Sequence, residues 1–178
     1  MDMQKTPEEL NNLINQYGND LYRFCVHLTR NYYEADDLYQ DTFLKAIQLS
    51  HNLDCSGNIK SYLMGIAINL WKNRIRKNKR RNEIVPQTDF DSLEWGIGAE
   101  SLDPLEKCLD SEIKRLLYDA VNKLPEKHRM VVLLHYTQNY TASEIAKILH
   151  IPRGTVLSRL AKSREKIKKE LEGQGYEI

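Results

Sequence analysis

Apolar positions recur every three or four residues through most of the chain, and no stretch alternates apolar and polar residues long enough to read as a strand. That periodicity predicts an all-α protein. Thr6-Pro7-Glu8-Glu9 places a capping residue, a first-turn proline and a capping-box Glu ahead of the first apolar run, so a helix is predicted from there past Gly18 to about Arg30. Asn31, Tyr32 and Tyr33 read as a short connection, and a second helix is predicted from Glu34 to about Ser50, with Leu38, Tyr39, Phe43, Ala46 and Leu49 along one half. His51 to Gly57 has loop chemistry. A third helix is predicted from Asn58 to Arg81, with Ile59, Leu63, Ile66 and Leu70 on its apolar stripe and Trp71 and Ile75 away from it, against the first helix.

Periodicity disappears from Asn82 to about Pro104, where Pro86, Gly96, Gly98 and Pro104 interrupt an acidic stretch that reads as a flexible linker. Helical spacing resumes from Leu105 to Lys123, breaks at Leu124-Pro125, restarts through Val131, Val132 and Leu134, and leads into TASEIAKILHIPRGTVLSRLAKSR. That last segment is a short amphipathic helix, a tight turn at Pro152 and a second helix, the pattern of a helix-turn-helix. In its second helix Val156, Leu160, Ile167 and Leu171 form an apolar stripe to pack on Ile145 and Leu149, with a small, buried Ala146 allowing a close crossing. Thr155, Ser158, Arg159, Lys162, Lys166 and Lys169 fall on a separate arc, the hydroxyls and cations that a major groove requires. The fold class is therefore two small helical domains joined by a linker. Domains of about 70 residues bury only about 60% of their unfolded surface.

Net charge is only +1, with 26 Lys and Arg against 25 Asp and Glu, but the charge is segregated. Lys72, Arg74, Arg76, Lys77, Lys79, Arg80 and Arg81 follow one another with no acid between them. From Glu83 to Glu112 acids dominate, opposed by Lys107 alone, and from Arg153 to Lys169 cations dominate, opposed by Glu165 alone. Two basic patches around an acidic connector suit two separate contacts with a polyanion.

On the second helix Asp37, Gln40, Asp41, Leu44 and Gln48 oppose the apolar half. A leucine among acids and amides suits docking on a basic partner, where rim charge steers the encounter and the apolar centre supplies affinity; a solvated acidic face is the alternative. The third helix aligns Asn69, Lys72, Arg76 and Arg80, and the loop before it, with Asn52, Asp54, Ser56, Asn58 and Lys60, carries short hydrogen-bonding groups suited to an unstacked base.

Catalysis is not expected: Asp37 and Asp41 have no cleft residue beside them, and no phosphate-cradling glycine loop or nucleophile with an identifiable base is present. His27, His51, His128, His135 and His150 form no ligand cluster, and Cys25, Cys55 and Cys108 have no metal-ligand spacing, so no metal or cofactor is expected. An odd cysteine count, a polar start and the lack of an apolar run of about 20 residues predict reduced thiols in a cytoplasmic protein that does not insert into a membrane.

Taken in order, EADDLYQDTFLKAIQ, NIKSYLMGIAINLWKNRIRKNKRR, LPEKHRMVVLLHY and TASEIAKILHIPRGTVLSRLAKSREKIKKEL resemble the regions of an extracytoplasmic-function sigma factor of the sigma-70 family. The resemblance implies a dissociable, non-enzymatic subunit of bacterial RNA polymerase: residues 1–82 as region 2, 83–104 as the acidic linker and 105–178 as region 4. It implies that Asp37, Gln40, Asp41 and Leu44 dock on core RNA polymerase. It further implies that Asn58, Lys60, Asn69, Lys72, Asn73, Arg76 and Arg80 act at the minus-ten element of promoter DNA, and that Arg153, Thr155, Ser158, Arg159, Lys162 and Lys166 read the minus-thirty-five element. An anti-sigma factor is the expected inhibitor. Tyr62, Asn73, Leu157 and Lys162 depart from residues common in the family, so no promoter sequence carries over.

Two other readings compete. A stand-alone helix-turn-helix regulator explains the C-terminal part but not the basic third helix beside an acid-amide face, and a helical protein-binding adaptor leaves both cationic patches idle.

Overall fold

The computed structural model describes residues 7–49, 58–84 and 111–176. Among them all regular structure is helical: α1 Pro7–Thr29, α2 Tyr32–Gln48, α3 Ile59–Ile84, α4 Ser111–Asn122, α5 Glu126–Tyr136, α6 Ala142–Leu149 and α7 Arg153–Gly173. The helices group into two compact units, α1–α3 and α4–α7. The predicted loop at 51–57 lies outside the described residues, and so does the predicted linker at 83–104 apart from Glu83 and Ile84, which are the end of α3.

In the first unit α1 contributes Leu21, Phe24, Cys25 and Leu28, all fully buried, to a core completed by Leu38 and Phe43 of α2 and Leu63, Met64 and Ile68 of α3. Gly18 matters because a Cβ there would stand 2.8 Å from the Tyr39 hydroxyl. Its absence lets the Tyr39 ring lie against α1, edge-on to Tyr22 at 5.6 Å and to Phe43 at 5.1 Å.

The chain reverses between α1 and α2 through Arg30, in the left-handed region at φ 60°. Asn31 then caps α2, its Oδ1 accepting from the Glu34 amide at 3.1 Å. The sequence reading treats Asn31 to Tyr33 as connection and starts the helix at Glu34. The cap starts it at Tyr32 instead, because a side chain that satisfies the amide of residue 34 draws the two tyrosines into the first turn.

The α3 core also differs from the single predicted stripe. Trp71, expected off that stripe, is only 8% exposed, and Met64, Ala67 and Ile68 are buried with Leu63 and Ile66. α3 packs on both α1 and α2, so its buried arc is wider than one neighbour would require.

The second unit is built round α5, whose Met130 to Leu134 are all buried. The Leu124-Pro125 break is a corner, the Pro125 carbonyl accepting from the amides of His128 and Arg129 at 2.8 and 3.0 Å. α6 opens on a reciprocal capping box between Thr141 and Glu144. It closes on His150 at φ 53°, with the Ile151 amide reaching back to the Ala146 carbonyl at 3.1 Å. α7 then starts at Arg153 and buries Val156, Leu160, Ser163 and Leu171. Ala146 is half-buried, not buried as expected, since Ile145, Ile148 and Leu149 fill the inward face of α6 and leave it at the edge.

Candidate functional site

Three exposed faces carry the predicted chemistry. On α2, burial of Ala35, Leu38, Thr42, Phe43 and Ala46 turns Asp37, Gln40, Asp41 and Leu44 outward. Leu44 is 57% exposed, an uncovered apolar side chain among acids and amides. Asp41 is not wholly free: its Oδ2 accepts from Arg74 Nη2 of α3 at 2.6 Å. Arg74 also donates through Nη1 to the Glu34 carbonyl at 3.4 Å. The sequence reading counts Arg74 in the basic run and assigns it no partner. Its position one turn beyond Trp71 and two beyond Ala67, on the inward arc of α3, was the signal that it turns towards α2.

On α3, Asn69, Asn73, Arg76 and Arg80 are exposed and Lys72 is half-buried, so the predicted stripe lies on the solvent side. Lys77 and Lys79 are exposed beside it. The two residues expected from the preceding loop have local partners. Asn58 Oδ1 accepts from the Ser61 amide at 3.1 Å, the bond of a helix cap. Lys60 Nζ reaches Asp20 Oδ2 of α1 at 2.5 Å and is half-buried. These bonds hold both side chains to the protein at the start of α3.

On α7, Arg153, Ser158, Lys162 and Lys166 are exposed, while Thr155 and Arg159 are half-buried. Ser158 Oγ donates to the Thr155 carbonyl at 3.1 Å. The helix opens on Pro152 with no side-chain cap and no acid in its first turn, which leaves positive amide ends beside Arg153. Further along, Lys169 pairs with Glu165 at 2.8 Å; this bond holds the Glu165 carboxyl below and the Lys169 ammonium above their ordinary pKa values. Lys166 lies towards α4, beside Lys123 and Leu124. Behind this face His128 is buried, its Nδ1 3.3 Å from Ser163 Oγ and 3.4 Å from the Arg159 carbonyl. His135 Nδ1 lies 2.8 Å from the Tyr140 carbonyl in the turn before α6.

Among the described residues no group of three or more His, Cys, Asp or Glu side chains is arranged to hold a metal ion. No described helix is long and apolar enough to cross a membrane.

Residues 13–81 match the family model for sigma-70 region 2, and residues 114–167 match that for sigma-70 region 4. The chain is 30% identical over 162 residues to the ECF RNA polymerase sigma factor SigW of Bacillus subtilis, covering 89% of this chain and 87% of the relative. It is 27% identical over 173 residues to an ECF RNA polymerase sigma-E factor of Haemophilus influenzae, covering 95% and 90%. Among solved structures, its fold is similar to that of the sigma factor RpoE bound to the anti-sigma factor NepR from Bartonella quintana: TM-score 0.78, 22% identity, 93% of this chain and 98% of that one. CnrH in complex with the cytosolic domain of CnrY is also similar, at TM-score 0.66 and 17% identity over 95% and 91% of the chains.

Proposed function

The chain belongs to the extracytoplasmic-function sigma factors of the sigma-70 family, and on that premise we propose how its three exposed faces divide the work of starting transcription. As a sigma factor it directs RNA polymerase to promoters. The unit α1–α3 docks on core polymerase through Asp37, Gln40, Asp41 and Leu44 of α2. The same unit recognises the minus-ten element and helps to open it through Asn69, Lys72, Asn73, Arg76 and Arg80. Asn can pair with base edges, while Lys and Arg neutralise phosphate. Asn58 and Lys60 contribute by fixing the start of α3, beside the loop proposed to hold a flipped base. The unit α4–α7 lays α7 in the major groove of the minus-thirty-five element, presenting Arg153, Thr155, Ser158, Arg159, Lys162 and Lys166. The residues after Ile84, the end of α3, up to 104 connect the two readers. The protein works where the polymerase does, in the cytoplasm, and an anti-sigma factor is its proposed inhibitor; RpoE, the sigma factor of similar fold, is bound to the anti-sigma factor NepR.

One observation carries this reading above that of a stand-alone regulator: a single three-helix unit exposes an acid-amide face with an uncovered Leu44 on α2 and a cationic face on α3. A regulator that binds duplex DNA by its helix-turn-helix alone needs neither. Asp37→Lys with Leu44→Ala tests the docking face better than a change at Asp41, whose reversal would also set two cations against each other at Arg74. Both residues are exposed, so thermal stability should hold within about 0.5 kcal/mol. Core polymerase affinity should fall by about 2 kcal/mol or more. Undiminished binding in a fluorescence titration against core enzyme would remove the docking assignment.

A further inference from the structure

The seven cations from Lys72 to Arg81 look interchangeable in the sequence, but the surroundings of Arg74 differ from those of the exposed cations that follow it. Arg74 is 28% exposed, where Arg76, Lys77, Lys79 and Arg80 are open to solvent. It holds α2 at two points one to two turns apart, the Asp41 carboxylate at 2.6 Å and the Glu34 carbonyl at 3.4 Å. It also lies close enough to the fully buried Cys25 of α1 to oppose the effect of burial on that thiol. Arg74 therefore stands where all three helices of the unit meet, one residue after Asn73 and two before Arg76.

We propose that Arg74 is a positioning residue that carries docking at α2 to DNA opening at α3. The inference rests on the docking and opening roles given above to these two helices. A guanidinium has a planar fork of donors and can hold a carboxylate and a carbonyl together, fixing the rotation of α3 about its own axis against α2. That rotation decides whether Asn69, Asn73, Arg76 and Arg80 face the DNA. A carboxylate has two oxygens and about four acceptor sites, so Asp41 can receive a cation from the polymerase while Arg74 keeps its hold on Oδ2. The chain from partner to Asp41 to Arg74 then continues into α3, and each bond polarises the next. Lys60, paired with Asp20 of α1, anchors the same helix at its start. Lys60 at the start of α3 and Arg74 within the basic run thus hold the helix that the exposed cations use.

Arg74→Met and Arg74→Lys, made in the full chain and assembled with core polymerase, test this. The duplex promoter is compared with the same promoter pre-melted around the start site, at saturating core enzyme. Arg74→Met should keep core affinity within about fivefold, as for loss of an exposed ion pair, yet open the duplex more slowly by on the order of tenfold. The pre-melted template should restore its transcription, and Arg74→Lys, which keeps the charge, should recover part of the duplex activity. Wild-type opening by Arg74→Met at saturating core would overturn the proposal, and so would a defect that persists on the pre-melted template. Failure of the unaltered chain to bind core polymerase would instead strike at the docking role itself.

Discussion

Cys25 shows how completely the first unit closes around its core. Burial pushes its thiol up to about 12, only partly opposed by Arg74, so the thiolate that reacts with alkylating agents is almost absent at neutral pH. Peptide mapping after iodoacetamide treatment at about pH 8 should find Cys25 unmodified in the folded chain and fully modified in denaturant. Rapid labelling of the native protein would show that the α1–α3 core opens readily. His128 makes a second residue-level test. Burial lowers its pKa, opposed in part by the Arg159 carbonyl, and the charges of Lys166, Lys127 and Arg159 lower it further by smaller amounts. The unfolded chain therefore binds the extra proton sooner, and the α4–α7 unit should lose stability as pH falls through the ordinary imidazole range near about 6.5. His128→Gln should flatten the dependence of its melting temperature between about pH 7.5 and 5.5; an unchanged slope would mean that His128 is not the group responsible. At this scale the sequence was informative wherever a residue's exposure is set by its own helix, as for Leu44 or Asn69. It was silent on Lys60, whose partner Asp20 lies 40 residues away; for Arg74 the spacing from Trp71 and Ala67 marked the inward face but not the partner, Asp41, 33 residues away.

The helices themselves were largely legible, because they carry their own signals: Pro7 at the start of α1, Pro152 before α7, and apolar spacing through all of them. What misled was the neighbourhood of a helix, not its existence. Asn31 gave α2 an earlier start, and the wide buried arc of α3 took in Trp71 because two helices pack on it. α7 lets the division of faces be tested within one element. Leu160, 3% exposed, should cost about 2–5 kcal/mol as Leu160→Ala, read by denaturant unfolding of the α4–α7 signal. Arg159→Ala should leave stability nearly unchanged, cost about 1–3 kcal/mol in promoter binding and relax the preference at one or two upstream positions. Lys166→Ala, further along and turned towards α4, should weaken all promoters alike and lower the salt slope by about 1. A promoter-library selection separates these outcomes; a shifted consensus for Lys166→Ala with an unchanged one for Arg159→Ala would mean that α7 is docked in the reverse sense.

For the whole molecule, the acid-amide face on α2, the basic face on α3 and the exposed arc of α7 make sense together only if polymerase and DNA are both partners. Segregated charge pointed this way even though the net charge of +1 did not. The most direct measurement is reconstituted transcription from a genomic promoter library by core polymerase with and without the chain, run beside duplex binding by the chain alone. The account predicts that transcripts starting at a defined set of promoters, sharing an upstream and a minus-ten element, appear only when the chain is added to core enzyme. Tight, sequence-specific duplex binding by the chain alone, with no promoter-dependent transcript in the presence of core polymerase, would contradict it.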